Sequence, residues 1–129
     1  MKFDTTDIAT RIVIAATLVV SGVIHAYLYV DGYRHIPAVG NAFLVQAAAF
    51  VALAILILLG GPGWLRLAAG IGSAGALVAF GLSRTIGFFG FTEVGWEPSP
   101  YAVATVVAEV LTVLACVAWV FTGERSRAR

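Results

Sequence analysis

The sequence predicts an all-α membrane protein, a single four-helix membrane domain spanning residues 1–129 as an antiparallel transmembrane bundle. Three observations predict it. Apolar residues make up 60% of the chain and charged residues 12%, whereas soluble domains average about 45–50% and about 25%. The few charges fall in clusters and leave uncharged runs between them. Breakers separate those runs: Asp31-Gly32 with Pro37, then Gly60-Gly61-Pro62-Gly63, then Gly95, Pro98 and Pro100. The net charge of +1 supplies no basic field for nucleic acid. The lone Cys makes neither an internal disulfide nor a Cys-rich metal centre.

A hydrocarbon core about 30 Å thick takes about 20 helical residues at about 1.5 Å each. The first span, 8–30, contains the uncharged run Ile12–Val30. That run is longer than a signal-peptide core, and Asp4 and Asp7 stand beside Lys2, so a retained helix is expected. The second span, 41–60, lies in the charge-free stretch between Arg34 and Arg66. The third, 65–87, carries Ala68, Ala69, Gly70, Gly72, Ser73, Ala74, Gly75 and Ala76. Small residues let helix backbones approach closely in lipid, which predicts a tight, dry seam or a contact with a second copy. The fourth span, 101–122, has Glu109 as its only charge. Continuous runs of this kind do not fit the alternation of a membrane β-barrel.

Four spans put both termini and the Gly60–Trp64 turn on one side. That side holds Lys2, Arg11, Arg66, Arg125, Arg127 and Arg129, against Arg34 and Arg84 on the other. Six against two orients the termini to the cytoplasm.

A charge at membrane depth costs about 2.5–3.5 kcal/mol on insertion scales, so the polar residues within the spans need an account. Glu109 lies eight residues past Tyr101, and His25 lies five before Val30. Gln46 lies five past Asn41, and Arg84 is near the end of the third span. At helical rise Glu109, His25 and Gln46 are about 8–12 Å below the outer face, and Arg84 can reach either the interface or the bundle. Ser21, His25 and Tyr29 recur every four residues, and Thr105, Glu109, Thr112 and Cys116 follow the i, i+4, i+7, i+11 pattern of one face on the fourth helix. If these faces point inward they form a polar pocket opening outward, with His25, Gln46, Arg84, Glu109 and Tyr29 as its ligand-binding candidates. The competing structural reading is an Arg84–Glu109 ion pair that locks helix register, with His25 and Gln46 as interhelical hydrogen-bonding groups.

Imidazole and carboxylate together suit a metal or haem, which makes His25, His35 and Glu109 the candidate metal ligands. No metal-binding motif of recognisable spacing accompanies them, and the cofactor stays open. A membrane carboxylate beside His and Arg also suits a proton- or ion-coupled transporter, which would need an oligomer for alternating access. Whether the chain is an enzyme stays open, since Ser21 with His25 is the sole nucleophile–base pairing in sight. A third class is an accessory or scaffold subunit of a larger membrane complex. The expected partners are the lipid bilayer, a small apolar ligand or lipid, and a homo-oligomer or membrane assembly.

Ile24-His25-Ala26-Tyr27-Leu28-Tyr29, Gly32-Tyr33-Arg34-His35-Ile36-Pro37, Asn41-Ala42-Phe43-Leu44-Val45-Gln46 and Leu82–Phe91 share a pattern. With the later Glu109, they resemble a group of small four-span membrane proteins of actinobacteria. That resemblance implies a multi-pass protein of a bacterial plasma membrane and transfers no reaction.

Overall fold

The computed structural model describes residues 4–127 as four long helices: α1 (Thr5–Asp31), α2 (Val39–Leu58), α3 (Trp64–Ser83) and α4 (Tyr101–Arg127). Each is long and apolar enough to cross a membrane, and the chain is a four-helix, multi-pass membrane protein. Large apolar side chains face outward on all four helices, among them Val23, Val45, Ile71 and Leu114. In water such a surface would be an aggregation patch, whereas in a bilayer it is the solvated face.

Local chemistry sets the helix ends. Asp4 caps α1, its Oδ1 accepting from the Thr6 amide at 3.2 Å. At the end of α2 the Gly61 amide donates to the Leu56 carbonyl and the Gly60 amide to that of Ile57. Gly60 holds φ +88°, which completes a Schellman stop. The sequence extends the third helix to 87, but α3 ends at Ser83. The Gly87 amide, with φ +98° at that residue, folds back onto the Leu82 carbonyl at 2.7 Å. Phe88 and Phe91 then pair through two backbone hydrogen bonds around a turn of Phe89 and Gly90, both at positive φ.

Helix α1 packs against α2 and α4, and α3 packs mainly against α4, while α2 and α3 touch sparingly. The apolar core lies in the half that carries the α2–α3 turn and joins Ile14, Ala15 and Leu18 of α1 with Phe50, Ala54 and Ile57 of α2 and Leu65 and Ala69 of α3. The small residues of α3 divide by face. Ala69, Gly70 and Ser73 are buried, whereas Gly75 meets nothing. A Cβ on Gly70 would stand 2.7 Å from Cys116 Sγ, so this glycine sets the α3–α4 separation. Overpacking of this kind costs about 1–3 kcal/mol, the loss expected for Gly70→Val in a detergent-unfolding titration. Cys116→Ala should return part of it, and an unchanged Gly70→Val midpoint would contradict the close approach.

At the end that carries the α2–α3 turn, basic side chains are largely buried and paired. Arg66 is only 1% exposed. Its Nη2 donates to Asp7 Oδ1 at 2.5 Å and its Nη1 to Thr10 Oγ1 at 3.1 Å, and its guanidinium lies over Trp119. Arg11 donates to Asp7 Oδ2 at 2.8 Å and to the carbonyls of Ile57 and Gly61. Two of the basic residues that orient the chain thus also tie α1 to α2 and α3. Lys2 and Arg129, and the side chains of Arg125 and Arg127, lie outside the described residues.

Candidate functional site

The polar residues of the half away from the termini converge on Glu109, which is 2% exposed about two turns into α4. Its Oε1 accepts from Thr105 Oγ1 at 3.0 Å, Ser21 Oγ at 3.1 Å and Gln46 Nε2 at 3.1 Å. Three helices therefore meet on one carboxyl oxygen. The Ser21 and Thr105 hydroxyls also lie 3.1 Å apart. His25 is 6% exposed, and its Nδ1 lies 2.7 Å from the Ser21 carbonyl. A carbonyl only accepts, so Nδ1 carries the proton in this contact and Nε2 of a neutral ring is an acceptor. Phe43 presses edge-on against the imidazole, ring centroids 4.7 Å apart. One turn inward, Thr17 and Thr112 share a hydrogen bond of 2.6 Å, and beneath them begins the apolar core.

None of these bonds uses Glu109 Oε2 or His25 Nε2. Both residues line a cavity of about 100 Å³ bounded by all four helices and the outer loops. Gln46 and Thr105 complete its polar floor, and the remaining walls are mostly apolar, among them Leu28, Phe43, Ala76, Ala79 and Phe80. Tyr33, Phe88, Phe91 and Pro98 stand at the loop end.

Arg84 lines the same cavity but does not reach Glu109. Its Nε donates to the Gly95 carbonyl at 2.9 Å, its Nη2 to that of Glu97 and its Nη1 to Ser83 Oγ at 2.6 Å. The guanidinium also lies over the Phe80 ring, 4.1 Å from its centroid. Its donors hold the 84–100 loop, and among the described residues the ion pairs are those of Asp7. The register-locking pair with Glu109 is not formed.

Two further expectations are corrected. Tyr29 is not among the residues lining the cavity. Four-residue steps drift about 40° per step around a helix of 3.6 residues per turn, so by Tyr29 the Ser21–His25 face has rotated away. Leu28 is the buried residue there instead. His35 sits exposed in the short 3-10 turn Tyr33–His35, where its Nε2 accepts from Arg34 Nε at 3.3 Å. The ligand set His25, His35 and Glu109 is therefore not assembled. Among the described residues no three His, Cys, Asp or Glu side chains gather to hold a metal ion.

Tyr33 lines the cavity as well, although nothing in its sequence spacing marks it as a site residue. Its ring stacks on Phe43, 5.1 Å between centroids, and its hydroxyl donates to Glu93 Oε2 at 3.0 Å. The bond latches the 3-10 turn to the outer loop. Partial burial, then the Glu93 carboxylate, push the phenol up to about 12, from an ordinary value of about 10. A folded pKa raised in this way gives a stabilisation fully present below the unfolded value and lost as pH rises through the folded one. In an ultraviolet titration, Tyr33→Phe should delete a phenolate transition near 12. Deletion of one near the ordinary value would show that the latch is absent.

Comparison with protein-family models, curated proteins and solved structures finds no match, so the chain's function rests on this geometry.

Proposed function

We propose that this membrane protein binds a small, largely apolar molecule with a hydrogen-bonding end, held in the outer-half cavity with that end on Glu109 and His25. Ligand sites are typically concave, mainly apolar and furnished with a few convergent polar groups, and this cavity has that character. The observation that carries the reading is the asymmetry of Glu109. Three helices supply donors to Oε1, whereas Oε2 takes part in none of these bonds, and Glu109 lines the cavity together with His25. A carboxyl present only to tie helices together would not need a place in the wall of a cavity. In this reading Gln46 and Thr105 position the carboxyl, and Arg84 shapes the loops above it. The same reading makes the termini cytoplasmic, which the positive-inside count supports, and sets the cavity in the outer half of a bacterial plasma membrane.

Coupled transport has less support, because the apolar cluster around Ile14, Leu18 and Phe50 lies inward of the Thr17–Thr112 pair. A scaffold role would be favoured instead if gentle extraction recovered a stable partner protein.

Delipidated protein titrated with a bacterial membrane lipid extract tests the proposal. Binding to the folded state alone stabilises by about 2.7 kcal/mol at 100 times Kd. Wild type should gain thermal stability on this scale. Ala76→Leu, which fills the cavity from α3 without touching the Glu109 bonds, should not respond. An equal response in both proteins, or none in wild type, would contradict the proposal.

A further inference from the structure

The cavity walls differ in exposure. On α1 and α4 the lining residues His25, Leu28, Thr105 and Glu109 are buried. On α2 and α3 the lining residues Ala42, Gln46, Ala76 and Ala79 are only half-buried, whereas Val39 and Ser83, toward the loop end, are buried. These two helices are joined by the short Gly60–Gly63 turn, yet they pack sparingly. One close point is Phe50 against Gly72, where an added Cβ would lie 3.1 Å from Phe50 Cε1. Outward from that point the cavity stands between them, and alanines supply little side chain to close it. Over the loop end, Tyr33 is latched to Glu93 and Arg84 holds the Gly95 and Glu97 carbonyls. The cavity is thus roofed toward water and thin-walled toward lipid.

We infer that the cavity is loaded sideways, through the gap between α2 and α3, by a neutral amphiphile drawn from the outer half of the bilayer. This rests on the binding reading above and adds the ligand's class and route. A cavity of about 100 Å³ is somewhat smaller than the roughly 150 Å³ core cavity that takes benzene. It therefore takes a head of no more than about one small ring, not a phospholipid headgroup. The head carries a hydroxyl or carbonyl to meet His25 Nε2 and the Glu109 carboxyl. A head this small leaves any chain outside the cavity, and the apolar gap lets it run between α2 and α3 into lipid. The loops offer Arg84, Glu93 and Glu97 where a chain would otherwise emerge, which disfavours that direction.

The test uses two radiolabelled probes, para-dodecylphenol and para-cresol, which share a head and differ in tail. Binding is read by scintillation proximity on the full chain in phosphatidylcholine nanodiscs, with helicity checked by circular dichroism. Ala79→Trp and Ala42→Leu narrow the gap from opposite sides. The expected result is a loss of about tenfold or more in para-dodecylphenol affinity, with para-cresol held within about threefold, in at least one variant. Undiminished para-dodecylphenol binding in both variants overturns the lateral route while leaving the binding site standing. Loss of both probes from both folded variants also overturns it, because head and tail would then share one space. Failure of wild type to bind either probe overturns the ligand class, and with the absence of any lipid-extract response it overturns the binding reading too.

Discussion

Glu109→Ala should destabilise the folded bundle by about 1 kcal/mol, since interhelical hydrogen bonds in membranes average roughly 0.6 kcal/mol each and two, from Ser21 and Gln46, reach this side chain from other helices. The figure is smaller than three unpaired buried donors would suggest in a soluble core, where each costs about 1–3 kcal/mol, because the unfolded helices in lipid also find partners. Glu109→Gln separates scaffold from site. Its amide oxygen accepts from the same Ser21, Gln46 and Thr105 donors, so its unfolding midpoint should stay near wild type. Its amide nitrogen replaces Oε2, so ligand-dependent stabilisation should be lost. If the alanine variant unfolds like wild type, the three-helix convergence is absent. If the glutamine variant keeps its full ligand response, Oε2 is not a contact.

Asp7→Ala should be at least as damaging. Removing one member of a buried ion pair costs about 3–5 kcal/mol, because the other charge is left unpaired. Asp7 is 28% exposed, which places the expected loss at the lower end, about 3 kcal/mol. Arg66 would then keep only Thr10 and the face of Trp119, with its Nε already lacking a hydrogen-bond partner. Arg66→Met retains much of the volume and removes the charge, so the smaller loss is expected there. The double variant should be more stable than Asp7→Ala alone. Detergent-unfolding midpoints decide it, and a double variant worse than either single one would mean that packing, not charge, holds this end.

The four spans could be read from the charge gaps because a bilayer penalises charge at every position of a helix, whatever its neighbours. The Ser21–His25 and Thr105–Glu109 spacings were legible for a related reason: helical period fixes which residues share a face. Period does not fix how a face is rotated against the next helix. Tyr29 continues the His25 spacing but turns away, while Gln46, with no such partner on its own helix, points at Glu109. Arg84 was not legible because of its reach, since a long side chain chooses among partners that tertiary structure supplies, and the same holds for the partner of Arg66. Arg84 found the carbonyls of Gly95 and Glu97, and Arg66 found Asp7, fifty-nine residues away. The gap between α2 and α3 had no sequence signal, because the short alanines that leave it open also mark tightly packed seams.

Native mass spectrometry of the protein released from bilayers tests the central claim most directly. The account predicts one discrete small-molecule adduct on wild type, lost in both Glu109→Gln and Ala76→Leu while the two variants remain folded. A bare protein mass for wild type, or an adduct retained in both variants, would contradict a ligand seated on Glu109.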